Sequence, residues 1–161
     1  MHPVGNSEGE IYPSVEHAYQ AAKTIDSQEK ASIKNAVTAG AAKRIGKNVT
    51  LRADWEEIKI DVMRQLVFEK FFFDRQLCDM LLDTGDQPLV EGNNWGDVFW
   101  GQVKGVGENW LGKILMECRD SLREKKKYQK PGCCIECGKQ LEYNNNRYER
   151  PICYKCIPSK A

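Results

Sequence analysis

From Gly92 to Gly107 the chain carries five glycines and two tryptophans with no helical period, whereas on both sides apolar residues recur at helical spacing. Connections of this length are uncommon in a compact domain and tend to carry sites. The chain is therefore expected to fold as packed helices interrupted by one long glycine-rich loop. Pro13 disfavours helix for Tyr12 and Ser14 is a good N-cap, so a first helix begins there. Ser27 is read as capping a second helix that runs towards Ala39 and stops at Gly40, and Gly46 ends a short third. Asp54 with Glu57 three residues on has the form of a capping arrangement, and Ile58, Val62, Met63 and Leu66 follow in period. That helix is expected to be the longest and to end near Phe73. Asp74 caps another with Leu77, Cys78, Leu81 and Leu82 facing inward, before Thr84-Gly85-Asp86 turns the chain. Asn109 caps a last helix carrying Leu111, Ile114, Leu115, Cys118 and Leu122. Leu89 to Glu91 is the only short extended run placed in this domain, which makes the fold class α+β, predominantly α-helical with few short strands.

At 161 residues and 41% hydrophobic content, the chain has room for one main domain over 1–123 and a small appendage. No stretch reaches the apolar length of a membrane span and no signal peptide opens the chain, so the expected setting is cytoplasmic with no membrane partner. The net charge of +1 advertises no global attraction to nucleic acid. A local basic cluster at Lys125, Lys126, Lys127 and Lys130 is read as a solvated linker over 124–132.

The seven cysteines divide unevenly. Cys78 and Cys118 fall in helical patterns and read as small core residues. Cys134-x-x-Cys137 and Cys153-x-x-Cys156 match a four-thiolate tetrahedral zinc site, which holds together a segment too short to build its own core. The expected appendage over 133–161 is a zinc ribbon with structural zinc on Cys134, Cys137, Cys153 and Cys156, similar to ribbons of the DksA/TraR kind. Four thiolates leave no open coordination position, so catalysis by this metal is not expected, and Cys133 is a spectator. Lys139, Arg147, Arg150 and Lys155 leave DNA or RNA open as a partner of the ribbon.

On the first helix Val15, Ala18, Tyr19, Ala22 and Ile25 share an apolar arc, while Glu16, Gln20 and Lys23 share another stripe. An acid, an amide and an amine on one face suit acid–base and nucleophilic chemistry. A solvated face has the same composition, and Glu16 in the first turn also answers the helix dipole.

The segment Tyr12-Pro13-Ser14-Val15-Glu16-His17-Ala18-Tyr19-Gln20-Ala21-Ala22-Lys23 resembles the signature of the NADAR family, also called YbiA-like. Similar landmarks follow in order. They are Ala42 to Gly46, Asp54-Trp55 through Lys70-Phe71, Leu82 through Glu91 with Trp95 to Gly101, and Gly107 to Met116. The resemblance covers roughly residues 1–123 and implies a YbiA-like domain acting on an N-glycosidic bond between ribose and an exocyclic nitrogen, as in ADP-ribosylated guanine or ribosylamino-pyrimidines. Lys23 then stands for a Schiff-base nucleophile and Glu16 for the acid–base, while Asp97 stabilises an oxocarbenium-like charge or binds ribose. Tyr12, His17, Gln20, Trp100, Gly101, Asn109 and Gly112 are the implied ligand contacts, and no organic cofactor is implied. The ordinary role of Trp95, Trp100 and Trp110 is core packing. Gly105, Gly107 and Gly112 near the last helix start suit backbone donation to a pyrophosphate. The family usually begins upstream with a strand and a Leu-Ser-Asn-Phe-like motif, whereas Met1-His2-Pro3-Val4 starts where that motif ends, so a reduced pocket is expected. ADP-ribosylated nucleic acid is the favoured substrate. A riboflavin-type ribosylamine, or binding of ADP-ribose or NAD without catalysis, are the alternatives.

Overall fold

The computed structural model describes residues 2–6 and 9–128. The four cysteines of the expected ribbon and residues 129–132 of the linker lie outside them. Two strands, β1 (Val4–Gly5) and β2 (Ile11–Tyr12), pair antiparallel with Val4 opposite Tyr12. Six helices follow among the described residues: α1 (Val15–Ala21), α2 (Ser27–Lys34), α3 (Ala39–Ile45), α4 (Trp55–Phe73), α5 (Arg75–Asp83) and α6 (Trp110–Tyr128). A strand of two residues has no alternation to read, which is why the hairpin escapes the sequence. Leu89 to Glu91 joins no strand; the loop makes isolated bridges instead at Gly92 with Gln102 and at Val103 with Val106.

The expected first helix starts as read, with Ser14 accepting the His17 N–H. It stops earlier than its apolar arc suggested, at Ala21, and Ile25 is 78% exposed. Asp26, not Ser27, caps α2, its Oδ1 accepting the Gln28 and Glu29 N–H groups at 2.8 and 2.9 Å. Helix α2 ends at Lys34, and Thr38 caps α3 by accepting the Ala41 N–H, so Gly40 lies in the first turn of α3 rather than stopping α2. Asp54 precedes α4 without capping it: Arg52 Nε and Nη2 hold its carboxylate at 2.6 and 3.0 Å. Asp74 does cap α5, accepting the Leu77 N–H.

Helix α4 is the hub, touching α1, α5 and α6, and its Trp55, Met63, Leu66 and Val67 meet Tyr19, Leu81, Ile114, Cys118 and Leu122 in the core. Helix α6 equals α4 in length at 19 residues and runs to Tyr128, past the boundary at 123 read from the sequence. Arg119, buried on α6, donates from Nη1 to Thr84 Oγ1 and the Gln87 carbonyl, both at 2.8 Å, which anchors the turn after α5. Burial pushes the Cys118 thiol up to about 12, as expected of a small core residue. Among the described residues no helix is long and apolar enough to cross a membrane.

Candidate active site

Helix α1 is short because its far end is captured by tertiary contacts. The chain leaves the helix at Ala22, and the Lys23 carbonyl accepts the Arg52 N–H at 2.8 Å, joining the end of α1 to the approach to α4. Lys23 thus sits in a turn rather than on the helical stripe. Its amine lies 5.7 Å from the centre of the Tyr19 ring and 6.0 Å from that of Trp55, within cation–π range. Half-burial of Lys23 holds its pKa below the ordinary lysine value; Glu16 opposes that shift, and Lys43 and Lys47 add to it. Both burial and like charge favour the neutral amine, the form that acts as a nucleophile.

Glu16 lies one turn before Gln20, and Gln20 Nε2 donates to Glu16 Oε1 at 2.7 Å. Glu16 Oε2 has no hydrogen-bond partner among the described residues. Gln20 is only 3% exposed, and its own Oε1 is buried without a partner, an arrangement that typically costs about 1–3 kcal/mol. Tyr19 packs edge-on against Trp55 at 5.1 Å and against Trp100 at 5.5 Å. Burial raises the Tyr19 pKa, the Trp100 side chain opposes this, and the charges of Glu16, Glu56 and Asp97 raise it further. The phenol therefore remains a neutral donor. Asp97, far along the chain, thus acts on the same phenol as Glu16.

Asp97 is partly occupied by its own loop. Its Oδ1 accepts the Phe99 and Trp100 N–H groups at 3.2 and 2.8 Å, and Asn93 clamps its backbone from both sides. This turn aims Trp100 at Tyr19. The aromatic contacts continue from Trp100 to Phe99 and on to Trp110, with Lys59 over the Phe99 ring at 4.1 Å. Trp95 is 64% exposed and stands apart from this run.

The other implied ligand contacts are engaged within the fold. His17 is fully buried, with Nδ1 2.7 Å from the Ser14 hydroxyl and Nε2 donating to the Ala36 carbonyl at 3.0 Å, so neither ring nitrogen is left for a ligand. Tyr12 is buried and donates to Glu10 Oε2 at 2.7 Å. Asn109, at φ 55°, does not cap α6 with its side chain. It spans the chain instead, accepting the Glu91 N–H at 2.9 Å and donating to the Leu89 carbonyl at 2.8 Å. A Cβ on Gly112 overlaps the Leu89 carbonyl and the Asn109 amide, and one on Gly101 overlaps the Glu91 carbonyl. Both glycines permit close packing; of the glycines suited to a pyrophosphate, Gly107 and Gly112 face backbone at their Cβ positions and Gly105 faces open space. Among the described residues no group of three or more His, Cys, Asp or Glu is placed to hold a metal ion.

Sequence reasoning missed Tyr19 and Trp55 as the aromatic neighbours of the Lys23 amine. The available signal was position: Tyr19 precedes Lys23 by one turn, and Trp55 follows the Arg52 that binds the Lys23 carbonyl.

Comparison with known proteins identifies the family and the fold. The NADAR domain family matches residues 2–123. The chain is 40% identical over 118 residues to N-glycosidase Npun_R5314 of Nostoc punctiforme, covering 70% of this chain and 75% of that protein. It is 36% identical to N-glycosidase YbiA of Escherichia coli over 118 residues, 71% of this chain and 73% of that one. Riboflavin biosynthesis protein VVA0006 of Vibrio vulnificus is 40% identical over 123 residues, 74% of this chain, but the chain spans only about a third of that protein's length (33%). The NMR structure of E. coli YbiA superposes with a TM-score of 0.69 at 34% identity, covering 78% of this chain and 75% of that one. The mostly helical fold with its two-stranded sheet is the YbiA-like fold, and the chain belongs to the NADAR family.

Proposed function

We infer that the protein is an N-glycosidase that cleaves the bond between a ribose anomeric carbon and an exocyclic amine, with ADP-ribosylated guanine in nucleic acid as the favoured substrate. The observation that carries this reading is a half-buried lysine of depressed pKa beside the packed rings of Tyr19 and Trp55, within the field of a carboxylate with one unengaged oxygen. Relatives named N-glycosidase support the reaction class.

The chemistry follows from the linkage. Glu16 protonates the ring oxygen as the ring C–O bond breaks, leaving an iminium between the anomeric carbon and the departing amine. Neutral Lys23 adds to that carbon. Proton transfer to the original nitrogen then lets the amine leave, and the sugar remains as an iminium on Lys23. Water adds to the anomeric carbon with its proton passing to Glu16, and Lys23 departs as the sugar is freed. Trp100, only partly buried, offers a face for the base, a contact typically contributing about 1–3 kcal/mol.

The cysteine pairs and the adjacent basic residues read from the sequence favour nucleic acid as the carrier of the modification. A second reading, a ribosylamino-pyrimidine of the riboflavin-synthesis type, is favoured by the relatives named riboflavin biosynthesis protein. Incubation with ADP-ribosylated guanine DNA and, separately, with a ribosylamino-pyrimidine, scored for released sugar and free amine, tests both. Release from the DNA is the expected result; release from the pyrimidine alone favours the second reading. Binding of ADP-ribose with release from neither overturns catalysis.

A further inference from the structure

Two stretches that are far apart in sequence meet at Gln20. From α1, Gln20 Nε2 donates to Glu16 Oε1 at 2.7 Å. From the end of α3, Gly46 packs its backbone directly onto the Gln20 side chain: a Cβ on Gly46 falls 2.8 Å from Gln20 Cβ and Cδ and overlaps Oε1. Gly46 has φ −65°, an ordinary helical value, so its lack of a side chain serves space rather than backbone freedom. The amide is 3% exposed and packed against the Gly46 backbone. Turning the group over would set its carbonyl oxygen against the Glu16 carboxylate, so the orientation with nitrogen towards Glu16 is fixed.

We propose that Gln20 is a positioning residue for Glu16, locked in place by Gly46, and does not itself touch substrate. The inference rests on Glu16 as the acid–base of the proposed reaction. Its physical basis is an imbalance. The nitrogen of the amide is satisfied while the oxygen is buried without a partner, so an apolar side chain of the same length fits the slot better in every respect except the bond to Glu16. That bond occupies Oε1 and confines the carboxylate to one rotamer, which leaves Oε2 as the oxygen that exchanges protons with the ligand. Gly46 belongs to the same device, since any larger residue there displaces the amide.

The test separates position from packing. Gln20→Met keeps the length and loses both polar ends, so its thermal midpoint should equal or exceed that of the parent. Its kcat should fall roughly 10–100-fold with KM within about twofold, because a misplaced group in the reacting geometry costs rate rather than binding. In a Glu16→Gln background the same substitution should change kcat no further. Without any substrate, the 15N spectrum of the full chain should show one Gln20 side-chain amide proton protected from exchange, and that protection should vanish in Glu16→Ala. A lowered midpoint in both Gln20→Met and Gln20→Leu makes the amide structural and overturns the proposal. So does a change confined to KM, or rapid exchange of both amide protons. Full activity in Glu16→Gln instead refutes the catalytic reading of Glu16, an outcome distinct from Gln20→Met keeping its kcat while Glu16→Gln loses it.

Discussion

Lys23 shows how far a single residue is legible and where legibility stops. Its place after Glu16 and Gln20 suggests a shared stripe, yet it leaves the helix, and its amine is set by the Arg52 bond and by the rings of Tyr19 and Trp55. Borohydride added during turnover should reduce the proposed iminium and leave the sugar on Lys23, as read by mass spectrometry of the digested protein. Lys23→Arg keeps the charge without the nucleophile and should abolish both trapping and turnover; near-full activity with no adduct makes Lys23 an electrostatic clamp. Glu16→Gln should bind substrate normally and lose roughly 10²–10⁴-fold in rate. The pH dependence follows from burial and like charge. Both depress the Lys23 pKa, so the rate should rise with pH on a limb lying below the ordinary lysine value of about 10.4. Lys43 and Lys47 contribute to that depression, and replacing both with Gln removes two cations and raises the pKa, so the limb should move to higher pH. An unmoved limb in the double variant assigns it to another group.

At the scale of elements, helix starts were legible where a side-chain oxygen still reached a first-turn N–H: Asp74 keeps Oδ1 for Leu77 while Oδ2 meets His2, and Ser14 accepts the His17 N–H while also meeting His17 Nδ1. Ser14 and Asp74 cap the helices they precede. Asp54 has the same residue type but is claimed by Arg52, and Asn109 is claimed by Leu89 and Glu91, so neither caps with its side chain. Gly40 reads as a stop only while Thr38 and Ala41 are unseen, because the Thr38 oxygen starts a new helix across it. Close approach is likewise invisible in sequence. Gly112 lets α6 lie against the Leu89 carbonyl, so Gly112→Ala should cost about 1–3 kcal/mol through a clash with backbone, measured as a lowered denaturant midpoint with unchanged slope. His17 joins α1 to the segment after α2 through both ring nitrogens. His17→Ala should lose about 3 kcal/mol from the cavity and the unpaired partners together. If that variant stays as stable as the parent and loses ligand affinity instead, His17 is a ligand contact after all.

For the whole molecule, the candidate site is assembled from α1, the end of α3, the start of α4 and the glycine-rich loop, all before α6 ends at Tyr128. A chain ending at Tyr128 should therefore keep cleaving a minimal ADP-ribosyl-guanosine while losing preference for the modified nucleic acid. A folded product with no activity on the minimal substrate gives the C-terminal residues a part in the chemistry. Purified without chelator, the full chain should carry one zinc per molecule on Cys134, Cys137, Cys153 and Cys156, as metal analysis and thiol titration will show. The sequence by itself determined the helical class and the family and pointed to Glu16 and Lys23 as candidates, because periodicity, caps and short motifs are local and survive in one dimension. Only the tertiary structure showed which neighbours engage His17, Asn109, Gly101 and Gly112, that Tyr19 and Trp55 stand beside the lysine, and that Gly46 closes on Gln20. Burial and hydrogen-bond satisfaction depend on which distant segments arrive, and the residue type states only what each group needs, not which neighbour supplies it.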